Sequence, residues 1–71
     1  MAFNYNKLRG KIREVFSTQE YFAKAIGIGT VSLSFKLNNK SEWSQQEINK
    51  AVELLGIADE EIVLYFFTLE V

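Results

Sequence analysis

The stretch Thr18-Gln19-Glu20-Tyr21-Phe22-Ala23-Lys24-Ala25-Ile26-Gly27-Ile28-Gly29-Thr30-Val31-Ser32-Leu33-Ser34-Phe35-Lys36-Leu37-Asn38 decides how this chain folds. Its first half carries apolar residues at helical spacing up to Ile26, and Gly27 stands where a left-handed residue closes a helix without a Cβ penalty. A second helical pattern begins at about Thr30 and runs to Asn38. Two short helices with a three-residue glycine turn between them form a helix-turn-helix over about residues 18–38. Ala23 is small where the two helices must cross closely, and Phe22, Ile26, Ile28 and Leu33 are apolar where the unit must seal to a core. At about 100° per residue, Leu33 and Leu37 share one side of the second helix while Val31 and Phe35 point almost directly away.

The flanking sequence extends the helical pattern in both directions. Upstream, residues from about Tyr5 to Phe16 place Leu8, Ile12, Val15 and Phe16 on a helical period, with Gly10 as a weak point within it. Ser17-Thr18-Gln19-Glu20 reads as a capping box, with Phe16 and Tyr21 as the apolar staple around it. The same device recurs at Trp43-Ser44-Gln45-Gln46-Glu47-Ile48, and Gly56 ends the helix that starts there. Asp59 is placed to cap a last helix through about Phe66, with Glu60 and Glu61 at the positive end of its dipole. The alternation Thr68-Leu69-Glu70-Val71 allows a short terminal strand. The expectation is a single all-α domain of five helices over residues 1–71, with a C-terminal segment at about 58–71.

Composition narrows the function. With 71 residues there is room for one domain, and with no cysteine and no histidine the chain lacks thiol nucleophiles, cysteine-based metal sites and the commonest general base. No enzymatic activity, cofactor, metal or small-molecule ligand is expected; a helix N-terminus accounts for Asp59, Glu60 and Glu61 better than a metal does. The longest apolar run, Ile62 to Phe67, is six residues, far short of the roughly 20 needed to span a bilayer. The opening segment lacks the apolar core of a signal peptide, so the expected location is cytoplasmic with no membrane partner. The net charge of −1 hides a division. Residues 1–40 hold Lys7, Arg9, Lys11, Arg13, Lys24, Lys36 and Lys40 against Glu14 and Glu20, a net +5. Residues 41–71 hold Lys50 against Glu42, Glu47, Glu53, Asp59, Glu60, Glu61 and Glu70, a net −6. One basic face and one acidic face follow, and a basic face is what phosphate binding requires.

The stretch from Thr18 through Ile28, continued by Ser34-Phe35-Lys36-Leu37-Asn38-Asn39-Lys40, resembles the DNA-binding domain of the phage Cro and CI-type repressors. The ending Leu64-Tyr65-Phe66-Phe67-Thr68 is similar to that of small Cro-like regulators carried on prophages. The resemblance implies a lambda-repressor-like domain that binds a pseudo-palindromic operator in double-stranded DNA as a homodimer and represses transcription. By place within the motif it makes Thr30, Val31, Ser34 and Phe35 base readers, with Asn38 continuing the stripe. The two hydroxyls suit base edges or phosphates, and Val31 and Phe35 suit thymine methyl groups. Gln19 at the helix start and Lys7, Lys11, Lys36 and Lys40 are the phosphate candidates. Two positions depart from the family pattern: Lys36 stands where an apolar residue is usual, and Gly29 where a polar cap is usual. Tyr65, Phe66, Phe67 and Leu69 present more apolar surface than so small a core can enclose, which makes them the dimer candidates. A rival reading from another class is a protein-interaction module on the same helical fold without DNA binding, favoured by the acidic total charge and the scarcity of strong base-reading side chains.

Overall fold

The computed structural model describes residues 2–70 and contains five α-helices: α1 (Asn6–Phe16), α2 (Gln19–Ile26), α3 (Thr30–Leu37), α4 (Gln45–Leu55) and α5 (Ile62–Phe66), with a 3₁₀ turn at Asp59–Glu61 leading into α5. The all-α, five-helix expectation holds. α1 packs against α2, α4 and α5, and α2 packs against α3 and α4. The shared core is built from Leu8 and Ile12 of α1, Phe22, Ala23 and Ile26 of α2, Leu33 and Leu37 of α3, Ala51 and Leu55 of α4, and Tyr65 and Phe66 of α5. Each contributes from one helical face, as the 3.6-residue period requires. Val15 is the exception among the residues counted on the period of α1, since it lies exposed.

The helix ends follow local chemistry. At α4 the full capping box is present: the Glu47 amide donates to Ser44 Oγ (3.1 Å), and the Ser44 amide donates to Glu47 Oε1 (2.8 Å). Gly27 and Gly56 close α2 and α4 with φ of 86° and 66°. The first capping signal is corrected by one residue. Ser17 is used up ending α1, with φ 69° and its amide bonded to Arg13, so the cap of α2 passes to Thr18, whose hydroxyl accepts from the Tyr21 amide (3.2 Å). The staple shifts with it, because Phe16 packs on Phe22 (ring centroids 5.3 Å) and Tyr21 faces solvent. Asp59 does not cap α5. Ala58 precedes the 3₁₀ turn, the Glu61 amide closes on the Ala58 carbonyl, and no side chain caps that end.

The terminal segments meet. Phe3 and Leu69 form an antiparallel bridge, with the Asn4 amide on the Thr68 carbonyl (2.7 Å) and the Glu70 amide on the Ala2 carbonyl (2.9 Å). This is the β character of the tail at Leu69; Val71 lies outside the described residues.

Candidate nucleic-acid interface

Three residues, Gly27 to Gly29, join α2 to α3. Gly27 turns the chain in the left-handed conformation, and Gly29 precedes α3 in extended backbone (ψ 154°), so that α3 starts at Thr30 with no side-chain cap. Leu33 and Leu37 then anchor α3 in the core, fixing its rotation about its axis. The opposite side is consequently solvent-facing: Val31 is 67% exposed, and Thr30 and Phe35 are exposed with it. Ser34 is half-buried.

Polar groups on this face are partly spoken for. Asn38, just past α3, donates from Nδ2 to the Ser34 carbonyl (2.8 Å) and to Ser34 Oγ (3.4 Å). Its Oδ1 accepts from Arg9 Nη2 (3.0 Å), which also donates to the Leu37 carbonyl (2.7 Å). A cation from α1 therefore satisfies the carbonyl end of α3, where the helix dipole favours positive charge. The sequence reading did not assign Arg9 a site role; a contact between residues 28 apart leaves no trace in local periodicity. Ser34 and Asn38 thus belong to an internal chain of bonds, while Thr30, Val31 and Phe35 remain free to meet a partner.

At the other end of α3, Thr30 borders a cleft shared with Gln19 and Thr18 at the start of α2 and with Arg9 and Arg13 of α1. Arg13, the start of α2 and the side chains of Thr18 and Gln19 line it together with the Glu20 carboxylate, while the Arg9 guanidinium is held at the far end of α3. The helix start and Arg13 are the groups there suited to a phosphate oxygen. Arg13 was counted as basic surface in the sequence but not as a site residue.

The lysine candidates separate. Lys40 is exposed beside α3 with its Nζ 5.8 Å from the Phe35 ring centroid. Lys11 makes a loose pair with Glu14 on α1 (3.9 Å). Lys7 stands over the Tyr65 ring (5.0 Å), beside α5, and is not brought to the α3 face. Lys36 is corrected outright. It is 8% exposed, and its Nζ reaches Glu47 Oε1 (3.1 Å), the Glu42 carbonyl (3.0 Å) and Ser41 Oγ (3.4 Å). Its position is a core position, as the apolar preference there implies, filled by a cation that carries its own counter-ion. Burial pushes the Glu47 carboxyl up, but the Ser44 amide and the Lys36 ammonium outweigh it and hold Glu47 below its ordinary value.

The C-terminal candidates are redistributed in the same way. Tyr65 and Phe66, at 7% and 2% exposure, belong to the core because α5 packs them against α1, which corrects their assignment to a partner surface. Phe67 and Leu69 are exposed, and Val63 and Leu64 join them. Among the described residues no helix is long and apolar enough to cross a membrane, and no acidic cluster converges to hold a metal ion.

Comparison with known proteins gives a consistent setting. No curated protein matches this chain. A solved structure, the modulator of repression (MOR) of the temperate bacteriophage TP901-1 from Lactococcus lactis, superposes with a TM-score of 0.81 at 43% sequence identity, covering 94% of this chain and 90% of that one. At sequence level, the family described as a protein of unknown function (DUF739) matches residues 1–69, and with that extent the chain belongs to it.

Proposed function

We propose that this chain is a phage-type regulator that binds operator DNA as a dimer through the α2–α3 unit and acts as a Cro-like repressor of transcription. The observation that carries this reading is the presentation of α3. Leu33 and Leu37 anchor it, Thr30, Val31 and Phe35 face outward from its first two turns, and the cleft lined by Arg13, Thr18, Gln19 and Glu20 lies at its start. A short helix held outward beside a helix N-terminus and an arginine is what major-groove docking requires. The similar phage protein is by its own title a modulator of repression, which supports a place for this chain in a phage repression circuit. Two copies would set their reading helices about 34 Å apart to meet successive major grooves.

The test is a salt titration of binding to DNA from beside the chain's own gene. If the dimer neutralises about six phosphates, log K falls against log salt with a slope of roughly −5. Thr30→Ala changes preference among operator variants by about 1 kcal/mol, whereas Arg13→Ala weakens binding to all sequences alike. Absence of DNA binding at low salt would sink this reading.

A second reading is favoured by a specific observation: the free part of the α3 face is largely apolar. Val31 and Phe35 dominate it, and the polar side chains of Ser34 and Asn38 are bonded to each other. On this reading the chain modulates repression by docking on a protein of the circuit, and the same titration separates the two.

A further inference from the structure

Away from α3, a groove of about 450 Å³ opens between the N-terminal segment, the loop from α3 to α4 and the end of α5. Its walls are aromatic: Phe3, Tyr5, Trp43, Phe66 and Phe67 line it. The rings form a continuous run, Phe67 on Phe3 (5.9 Å), Phe3 on Tyr5 (6.2 Å), Tyr5 on Trp43 (6.5 Å) and Trp43 on Phe66 (5.3 Å), mostly edge to face. The one charged side chain that lines the groove is the exposed Glu42, which forms no ion pair among the described residues. No lysine or arginine lines it. Both lips are fixed. The Asn39 side-chain amide holds the Phe3 backbone through two bonds of 2.8 Å, and Lys36 Nζ holds the Glu42 carbonyl and Ser41 Oγ.

We propose that this groove docks an arginine side chain presented by a protein partner. Charge complementarity selects the occupant: ring faces and a carboxylate together make a negative pocket, which repels phosphates and acidic side chains and attracts a cation. Among cations, guanidinium suits it best, since its plane stacks on aromatic rings while its edge offers paired donors to Glu42. Because the lips are already held, binding orders little of the chain.

Trp43 is the only tryptophan in the sequence, so intrinsic fluorescence reads this groove directly. The probe is a capped Gly-Arg-Gly-Arg-Gly peptide, compared with the same peptide carrying citrulline, which keeps the shape and loses the charge. The arginine peptide should change Trp43 emission saturably, and citrulline should weaken binding about tenfold. Glu42→Gln, a change at an exposed side chain, should weaken the arginine peptide about fivefold while far-UV circular dichroism stays unchanged. Amide shifts should centre on residues 2–5, 39–43 and 66–67. No response to the arginine peptide, equal binding of citrulline, or shifts centred on the exposed carboxylates of residues 59–61 would each overturn the proposal. So would a Trp43 change on concentrating the protein alone, which would mean that a second copy fills the groove.

Discussion

Lys36 shows what a single position can hide. Its charge places it with the basic half, and the resemblance places it on the DNA side, yet it is one of the most enclosed polar groups in the molecule. The departure from an apolar residue was legible in the sequence; the counter-ion was not, because Glu47 already had a complete local explanation as the partner of Ser44. One carboxylate serves both. Glu47→Ala removes a cap partner and strands the Lys36 ammonium, and should cost about 2–3 kcal/mol in urea unfolding. Lys36→Met puts an apolar side chain in the same space and leaves the capping box intact, and should cost less than about 1 kcal/mol. The pair also sets a pH dependence. Because the folded state holds Glu47 below its ordinary value, its contribution is present above the unfolded carboxylate range near pH 4 and is lost as pH falls through the folded value. The difference in stability between parent and Lys36→Met should therefore shrink as pH falls below about 4. A constant difference from pH 7 to pH 3 would contradict the pairing.

Among the elements, all five helices could be read from the sequence, since period, caps and glycine stops agree on them. What the sequence could not settle was which of two adjacent hydroxyls caps α2. Ser17 and Thr18 both stand before the helix, and the choice depends on how α1 ends, through the positive φ of Ser17. Thr18→Ala should lower stability by about 1 kcal/mol, and Ser17→Ala should lower it much less, because the Ser17 hydroxyl caps nothing. The turn after α2 gives a companion measurement. A Cβ at Gly27 would meet nothing closer than Lys50 Nζ at 3.8 Å, so Gly27→Ala tests backbone strain at φ 86° without a clash, and should cost about 1–2 kcal/mol. The candidate site was less legible than the helices. The exposed positions of α3 follow from its period, but the bond that fixes Asn38, which in turn engages Ser34, comes from Arg9 on another helix.

For the whole molecule, the surplus of apolar surface at the C-terminal end lies one step around α5 from where the sequence alone places it. A helix of five residues can turn only part of its circumference to the core, and α5 spends Tyr65 and Phe66 there, leaving Val63, Leu64 and Phe67 outside. If copies of the chain pair through that face, Val63→Glu should halve the mass measured in solution and reduce operator affinity, with the circular dichroism of the monomer unchanged. Tyr65→Glu should instead unfold the chain. The meeting of Ala2 to Asn4 with Thr68 to Glu70 carries a different consequence. In connectivity the described chain is nearly a ring: Ala2 and Glu70 are already neighbours, and a short peptide joining the segments that carry them would ask little of the folded state. A head-to-tail cyclised form should therefore gain up to about 4 kcal/mol from the lost freedom of the unfolded chain, read as a higher urea midpoint. With the ends joined, new ones opened between Asn39 and Lys40 should cost more than new ones opened at Ala58, because only the first cut makes a chain end of Asn39, whose side chain holds Phe3.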